Sequence, residues 1–222
     1  MSKSLKVTLV VILVLLLDQW LKFYIKTNFE LRESVHLIAG QDWAQLYFIE
    51  NPGMAFGIEL PGNWGKLLLS VFRIIAVGFL VYYIRLLIKG GARTGLLICF
   101  GLILAGAFGN IIDSAFYGMI FSESPYHGGV AEFMPADGGY AGFLYGRVVD
   151  MFYFPMFKGF FPEWMPFWGG EPFVFFRPVF NLADASISVG VIALLLFYRD
   201  FFIEKKPVAT APVAAESTTT EV

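Results

Sequence analysis

The chain has 222 residues, of which 57% are hydrophobic and only 15% carry a charged side chain. Soluble domains are usually about half apolar and about a quarter charged, so this composition favours a protein embedded in a membrane. The formal net charge of −2 argues against a basic surface that binds nucleic acid. The single cysteine, Cys99, excludes a disulfide within one chain, and we interpret it as a packing residue in an apolar run.

The first apolar segment covers residues 5–25 and follows Lys3 and Lys6. A cleavable signal peptide starts in the same way but ends in small residues, whereas this run continues through Asp18 and Trp20 without such a site. About 20 mostly apolar residues are enough to span a bilayer. We therefore predict a transmembrane helix that the protein retains.

Three more apolar windows have spanning length, at residues 66–88, 94–114 and 179–203. The loop 29–64 combines short apolar alternations with turn signals around Pro52, which indicates a small β-rich unit. The predicted fold class is an all-α membrane protein with four transmembrane helices, in which the β-rich unit lies between helices one and two.

The segment between helices three and four, residues 115–178, is rich in glycine, proline and aromatic residues. Its most apolar stretch, 152–167, contains Pro155, Pro162 and Pro166, which would break a helix. We predict a long insertion that lies outside the bilayer and at its interface.

Lysine and arginine residues near the ends of the spans indicate the orientation. They flank the start of helix one, fill the short link between helices two and three, and follow helix four. With four spans these groups fall on one side, predicted to be the cytoplasm, so both termini are cytoplasmic and the loops 29–64 and 115–178 are extracytoplasmic. Residues 1–206 are predicted to form one membrane domain, and the polar segment 207–222 a disordered cytoplasmic tail.

Ionisable side chains at membrane depth are costly and mark functional sites. Asp18, Asp113, Asp150 and Asp184 meet this description, and all four are expected near the outer boundary of the membrane. Asp18 and Lys22 have the spacing and order of a favourable helical ion pair. We favour mutual neutralisation at the interface for this pair, with a role in bracing the site as the alternative.

Helix three is expected to lie at the centre of the bundle. Gly101, Ala105 and Gly109 form a stripe of small residues that lets a neighbouring helix approach closely. Asp113 follows Asn110 by three residues and shares its helix face. For Asp113 a structural hydrogen-bonding role is favoured over catalysis.

Asp184 has two interpretations from its local sequence. Asn181 opens an apolar run as an N-cap residue would, and Asp184 then completes a capping box; the alternative is a catalytic carboxylate. Asp150 stands in an apolar and aromatic stretch with no helix start beside it, so its carboxylate requires a partner.

Two neighbouring carboxylates cannot both ionise easily, so one of them keeps a proton. Such a pair can activate water against a peptide carbonyl, with one acid as base and the other as proton donor. We predict Asp150 and Asp184 as this pair. The dipole of helix four favours Asp184 as the base, although such pairs titrate as a unit.

Other chemistries have weaker support in the sequence. His36 and His127 lack the spacing of zinc ligands, and no nucleotide-binding glycine loop occurs, so no metal or cofactor is expected. Lys66 and Ser70 are four residues apart and leave a Ser–Lys dyad as a minor alternative.

With these residues in place, the sequence resembles the lipoprotein signal peptidases (signal peptidase II). Five stretches occur in the family's order over most of residues 5–203, and any one alone would be weak evidence. They are Asp18-Gln-Trp-Leu-Lys22, Asn51-Pro-Gly-Met-Ala-Phe-Gly57, Gly106-Ala-Phe-Gly-Asn-Ile-Ile-Asp113, Val148-Val-Asp150 and Phe180-Asn-Leu-Ala-Asp184.

The resemblance implies an intramembrane aspartic endopeptidase of the bacterial inner membrane. Such an enzyme uses no metal, cleaves diacylglyceryl-modified prolipoproteins just before the lipidated cysteine, and is blocked by the cyclic peptide globomycin. Asp150 and Asp184 would be the catalytic pair, and Asp18 and Lys22 would support the site. The residues that would bind substrate or shape the pocket are Asn51, Gly53, Asn110, Asp113, Arg147 and Asn181.

The chain departs from the family pattern in two ways. Ser114 stands where the family usually has an arginine, which removes the expected charge partner of Asp113, and we expect Arg147 to replace it. The stretches 115–146 and 156–177 are longer than the family plan needs, and they suggest an interfacial lid or a docking surface.

Two functions of other classes use the same acids. A small proton-coupled transporter would use them as a relay, and it predicts ion flux without a broken peptide bond. A non-catalytic factor that holds lipoprotein precursors would need them only to brace the bundle.

Overall fold

The computed structural model of the chain describes residues 1–52 and 62–203, with the backbone alone for 62 and 63. Within these ranges three helices are long and apolar enough to cross a membrane. They are α1 (Lys3–Asn28), α2 (Gly62–Lys89) and α3 (Thr94–Ile112). Helix α3 continues into a π-helical turn, Asp113–Tyr117, and a one-turn helix, α4 (Gly118–Ile120). The tail predicted at 207–222 lies outside the described residues.

A fourth apolar helix, α5 (Leu182–Phe197), has 16 residues, so the predicted helix 179–203 is too long at both ends. Before α5, Asn181 forms the predicted capping box. Its side chain accepts from the backbone N–H of Asp184, and the Asp184 carboxylate accepts from the N–H of Asn181. After α5, Tyr198 leaves the helical conformation and a 3₁₀ turn follows.

In the part of the chain that the structure describes, six short strands lie outside the helices, and four of them form one antiparallel sheet in the order β1-β2-β3-β6. The remaining two, β4 and β5, pair as a separate hairpin. The strands are β1 (Ser34–His36), β2 (Gln45–Asn51), β3 (Val148–Tyr153), β4 (Phe157–Phe160), β5 (Pro172–Phe175) and β6 (Val179–Phe180).

The β-rich unit predicted between helices one and two is therefore only half of the sheet. Strands β3 and β6 come from the long insertion and from the predicted start of helix four, neither of which was expected to join this sheet. In β3 the first four residues are buried, so the strand shows no alternation that would reveal it. Its partner β2 lies about one hundred residues earlier, with Asp150 opposite Ile49.

Helix α3 lies at the centre of the bundle and packs against α1, α2 and α5, as its small-residue stripe predicted. Gly101 faces Val7 of α1. A Cβ added at Gly106 would lie 2.2 Å from the carbonyl oxygen of Ala183 in α5, so this crossing requires glycine. Cys99 is buried in the apolar core between the helices, which confirms its interpretation as a packing residue.

Apolar side chains cover the outer faces of the helices. Examples are Leu16 (65% exposed) on α1, Phe79 (67%) on α2 and Leu196 (67%) on α5. Exposed apolar surface on this scale is compatible with lipid as the surrounding solvent. A second apolar cluster includes Phe48, Phe121 and the β3 residues that flank Asp150. It supports the sheet over the C-terminal end of α1.

Candidate active site

Asp150 is held on β3 by two side-chain amides. Its Oδ1 accepts from Asn181 Nδ2 at 2.7 Å, and its Oδ2 accepts from Asn51 Nδ2 at 3.3 Å. Asn51 ends β2 and Asn181 precedes α5, so the sheet and the helix start both contribute to this contact. Only 2% of the surface of Asp150 is exposed.

Asp184 lies in the first turn of α5 and is half-buried. Its Oδ1 accepts from Asn110 Nδ2 at 2.8 Å, and its Oδ2 accepts from the backbone N–H of Asn181 at 3.3 Å. Asn181 therefore contacts both acids, since its amide nitrogen donates to Asp150 and its Oδ1 accepts from the Asp184 N–H at 2.9 Å. The structure brings the two predicted acids to a shared set of asparagines.

The electrostatics of the pair differ from those of two solvated carboxylates. Burial, and after it the negative charge of Asp184, raise the pKa of Asp150 to about 7 against the opposing effects of Asn51, Lys22 and Asn181. A carboxyl group that keeps its proton near neutral pH beside a second carboxylate can exchange a proton with a bound reactant. This arrangement can perform general acid–base chemistry.

Lys22 is fully buried beneath the acids and lies between three acceptors. Its Nζ is 3.0 Å from Asp18 Oδ2, 2.9 Å from Asp113 Oδ2 and 2.9 Å from Asn110 Oδ1. The predicted ion pair of Asp18 and Lys22 is present, and both side chains are buried in the bundle. Through Asn110 it contacts the acid site, so the geometry favours the bracing alternative.

Asp18 and Asp113 each join this cation to another element. Asp18 Oδ1 accepts from the backbone N–H of Ala183 at 2.9 Å, which ties α1 to the start of α5. Asp113 Oδ2 accepts from the N–H of Val149 at 3.2 Å, which ties α3 to β3 next to Asp150. The second contact supports the structural role predicted for Asp113.

Gln19 is a member of the site that the sequence analysis missed. Its amide nitrogen donates to Asp113 Oδ1 at 2.9 Å and to Asp18 Oδ2 at 3.2 Å, and its Oε1 accepts from the hydroxyl of Tyr117 at 3.3 Å. An uncharged polar residue directly after Asp18 in an apolar helix was the available signal.

Arg147 does not replace the missing partner of Asp113. Its guanidinium pairs with Glu50 at 3.1 Å and with Glu123 at 2.9 Å, while Asp113 pairs with Lys22. Arg147 precedes β3 and shares the sheet face of Val149, which lies opposite Glu50, so its side chain points away from the face of Asp150. The expectation that Arg147 replaces this partner was wrong, because strand alternation places Arg147 and Asp150 on opposite faces of the sheet.

The contacts of Lys66 and Ser70 lie away from the hydrogen bonds of the acid site. Ser70 donates to the carbonyl oxygens of Lys66 and Leu144, and Lys66 Nζ donates to the carbonyl of Tyr145, so these contacts do not favour a Ser–Lys dyad. Gly53 lies outside the described residues. Among residues 1–52 and 62–203, no group of three His, Cys, Asp or Glu side chains is placed to hold a metal ion.

The chain was compared with known proteins. The family model described as signal peptidase (SPase) II matches residues 10–199. A lipoprotein signal peptidase of Porphyromonas gingivalis is 53% identical over 193 residues, which cover 86% of this chain and 82% of that protein. The proteins of the same name from Amoebophilus asiaticus and Chlorobium phaeobacteroides are 37% and 33% identical, over 86% of this chain in both cases and over 76% and 93% of theirs.

A solved structure shares the fold. It is described as a bacterial membrane enzyme determined by the in meso method at 2.3 Å resolution, and it matches with a TM-score of 0.60 at 23% identity. The match covers 93% of this chain and 94% of that one. The family model over residues 10–199 and the relatives named above show that the chain belongs to the signal peptidase II family.

Proposed function

We propose that this protein is an aspartic endopeptidase that removes signal peptides from diacylglyceryl-modified prolipoproteins by cleaving just before the lipidated cysteine. The relatives named lipoprotein signal peptidase support the substrate class. The observation that carries the aspartic mechanism is the Asn181 side chain, which contacts both acids and holds Asp150, whose pKa is about 7, next to Asp184.

In the proposed reaction the pair carries one proton. Asp150 keeps it, because burial and the neighbouring charge disfavour a second negative charge. Asp184 lies at the start of α5, where the helix dipole stabilises a carboxylate, so it takes a proton from the attacking water. Asp150 donates its proton to the carbonyl oxygen as the water adds. When the C–N bond breaks, Asp184 gives the proton from the water to the leaving amine, and Asp150 takes its proton back from the hydroxyl that becomes the new carboxyl group.

The two carboxylates are oriented by three asparagines, Asn51, Asn110 and Asn181. Asn110 and β3 are in turn held by the buried ionic group of Asp18, Lys22 and Asp113. We assign Gly53 to substrate binding from its place in the family motif alone. Arg147 shapes the outer side of the site through Glu50. No metal or cofactor takes part in this proposal.

We further propose four membrane spans, with α5 as the fourth, both termini in the cytoplasm and the acids near the extracytoplasmic face of the bacterial inner membrane. Sixteen residues of α-helix rise about 24 Å, somewhat less than the roughly 30 Å of a hydrocarbon core. Local thinning of the bilayer accommodates a short span at modest cost. Residues 1–206 then act as one domain, and 207–222 as a cytoplasmic tail.

The test is cleavage of a lipid-modified precursor by the purified protein in detergent or lipid vesicles. Asp150→Asn and Asp184→Asn keep the shape of each side chain and remove its acid, so each should lower turnover by at least about a hundredfold. Asp42→Asn is the control, since Asp42 is exposed on the loop between β1 and β2 and its only described ion-pair partner is His36. Full activity in either of the first two variants would contradict the aspartic mechanism.

The same preparation separates the alternatives from different classes. A transporter would move protons into vesicles without cutting the precursor, and a holding factor would bind the precursor unchanged and tolerate both substitutions. Globomycin is expected to raise the melting temperature of the wild-type protein and to block its turnover.

A further inference from the structure

Glu50 carries a buried carboxylate on the face of the sheet opposite Asp150. Its Oε1 accepts from Lys26 Nζ, and it also accepts from Ser124 Oγ at 3.0 Å. Its Oε2 accepts from Arg147 Nη1 at 3.1 Å. The side chains of Lys26 and Glu50 are 0% and 3% exposed. The Glu50 anchor, formed by Lys26, Glu50, Ser124 and Arg147, joins α1, β2, the long insertion and the residue that leads into β3.

The long insertion closes over the two cations of this anchor. Glu123 Oε1 accepts from Arg147 Nη2 at 2.9 Å, and the Tyr140 hydroxyl accepts from the backbone N–H of Arg147 at 2.6 Å. The ring of Tyr140 has Lys26 Nζ at 5.1 Å and the guanidinium carbon of Arg147 at 5.2 Å from its centroid. Buried ion pairs are screened by salt much less than exposed ones, so residues 123–140 of the insertion strengthen the contacts of Glu50.

The anchor and the acid site meet at the same end of the β2–β3 ladder. Glu50 lies opposite Val149, and Asn51, which ends β2, lies opposite Val148. Side chains alternate along a strand, so Glu50 points to the anchor and Asn51 points to the face of Asp150. Asn51 Nδ2 donates to Asp150 Oδ2 at 3.3 Å. One peptide bond therefore connects the buried carboxylate of the anchor to a donor of the acid pair.

The hydrogen bond between Asn51 and Asp150 needs support from elsewhere. Its length of 3.3 Å is beyond the usual range of about 2.7–3.2 Å for N–H···O bonds, so this contact is too weak to hold Asn51 by itself. The ends of strands also open more easily than their centres. The contacts of Glu50 with two cations are of the stronger, charge-assisted kind, and they fix the residue directly before Asn51.

We propose that Glu50 is a positioning residue, which Lys26 and the long insertion hold in place so that Asn51 stays against Asp150. Glu50 itself does not touch the reacting groups. The inference rests on the proposed function, and it gives the stretch 115–146 a task in that function, as a clamp on the end of β2.

The first test measures kcat and KM for the lipid-modified precursor. Glu50→Gln keeps the shape of the side chain and removes its charge. It should lower kcat about tenfold and leave KM nearly unchanged, because a donor to one acid of the reacting pair is displaced. Glu163→Gln is the matched control, since Glu163 is an exposed glutamate between β4 and β5, and it should keep the wild-type kcat. A wild-type kcat in Glu50→Gln would overturn the inference.

A double-mutant cycle tests whether Glu50 acts through Asn51. Asn51→Ala removes the donor, so adding Glu50→Gln to it should cost no further activity. If Glu50 supports the fold in a general way, the two losses of kcat should instead multiply. Multiplied losses would overturn the inference.

The pH dependence of kcat separates positioning from a direct effect of charge. The hydrogen bond from Asn51 lowers the pKa of Asp150, so its loss should move the fall in kcat to higher pH. Removing a negative charge that acts directly on Asp150 would move the fall to lower pH. The other groups that face Asp150, which are Asp184, Lys22 and Asn181, are the same in every variant. Glu50→Gln and Asn51→Ala should both move the fall to higher pH, and any other result for Glu50→Gln contradicts the inference.

Glu50→Gln leaves Lys26 buried without its carboxylate, which is strongly destabilising. If the melting temperature shows that this variant does not fold, the same criteria apply to Glu50→Gln combined with Lys26→Met. No buried charge is then left alone, because Arg147 keeps Glu123 as its partner.

Hydrogen exchange separates this inference from the proposed function. The exchange of the backbone amides of residues 45–51 is measured by mass spectrometry in detergent, and it should be faster in Glu50→Gln than in Glu163→Gln. If the wild type cuts nothing while this difference is present, the proposed function fails and the anchor stands. If the wild type cuts and Glu50→Gln changes neither kcat nor exchange, the anchor fails alone.

Discussion

Lys22 Nζ donates to Asn110 Oδ1 at 2.9 Å, and this contact decides which end of the Asn110 amide faces Asp184. With its oxygen turned to the lysine, Asn110 presents its Nδ2 to Asp184 Oδ1 at 2.8 Å. The buried cation of Lys22, which does not touch Asp184 itself, therefore sets the orientation of the Asn110 amide that donates to Asp184.

The first prediction concerns this cation. Lys22→Met keeps most of the side-chain volume but leaves Asp18 and Asp113 buried without their partner. Removing one partner of a buried charge group costs about 3–5 kcal/mol, so the variant should melt well below the wild type in detergent and lose activity. Lys158→Met, an exposed lysine on β4, is the control. Wild-type stability in Lys22→Met would refute the bracing role.

The second prediction separates the two tasks of Asn181. Asn181→Ser keeps an N-cap for α5 but is too short to reach Asp150, so stability should change little while kcat falls. Asn181→Ala removes the cap as well as the contact with Asp150. Loss of the cap should lower the free energy of unfolding by a further amount of about 0.5–2 kcal/mol. The measurements are the melting temperature of each variant and its turnover of the lipid-modified precursor. Equal kcat for Asn181→Ser and the wild type would show that the Asp150 contact is dispensable.

The third prediction follows from the pKa of Asp150, which is raised to about 7. The proposed reaction needs one proton on the acid pair, so turnover should fall as the pH rises through about 7 and that proton is lost. The pH dependence of kcat, measured with saturating precursor, reports this fall. Asp42→Asn should leave this fall in kcat unchanged. A kcat that stays constant up to about pH 9 would contradict the assignment of the proton to Asp150.

The fourth prediction applies the same pKa to stability. Because the pKa of Asp150 is higher in the folded protein than in the unfolded chain, the folded state binds more protons between about pH 4 and pH 7. This stabilisation is complete below pH 4 or so and is lost as the pH rises through about 7. Asp150→Asn should remove this slope from a plot of melting temperature against pH. A slope that persists in the variant would assign it to another group.

The fifth prediction concerns the crossing of α3 and α5. Gly106→Ala places a Cβ 2.2 Å from the carbonyl oxygen of Ala183, a backbone atom that cannot move by itself. The helices must separate, which should cost about 1–3 kcal/mol and displace Asp184 from Asn110. Gly78→Ala on α2 is the matched control, since nothing lies within 4 Å of its added Cβ, and it should be neutral or slightly stabilising.

Local signals predicted the parts of the molecule that local interactions determine. Continuous apolar runs gave the positions of α1, α2 and α3, and the spacing of Asn181 and Asp184 gave the capping box. The small residues of α3 identified the central helix. The pair of Asp18 and Lys22 was visible because its members lie one helical turn apart.

The features that the sequence did not reveal depend on partners far along the chain. Strand β3 pairs with β2 about one hundred residues away, and its buried residues gave no alternation. The other acceptors of Lys22 lie on α3, so its burial could not be inferred from α1 alone. Arg147 was assigned to Asp113 because it lies three residues before Asp150, and that reasoning ignores the two faces of a strand.

The pairing of β2 with β3 also restricts how the sheet can be aligned. One face of β3 carries Asp150 towards the asparagines, and Arg147, which directly precedes the strand, points to the other face towards Glu50. A slip by a single residue exchanges these faces, which would set Asp150 beside Glu50 and turn Arg147 into the bundle beside Lys22. Like charges would then meet on both sides of the sheet, so ionic repulsion disfavours the misaligned pairing and helps to keep Asp150 on the face of the asparagines.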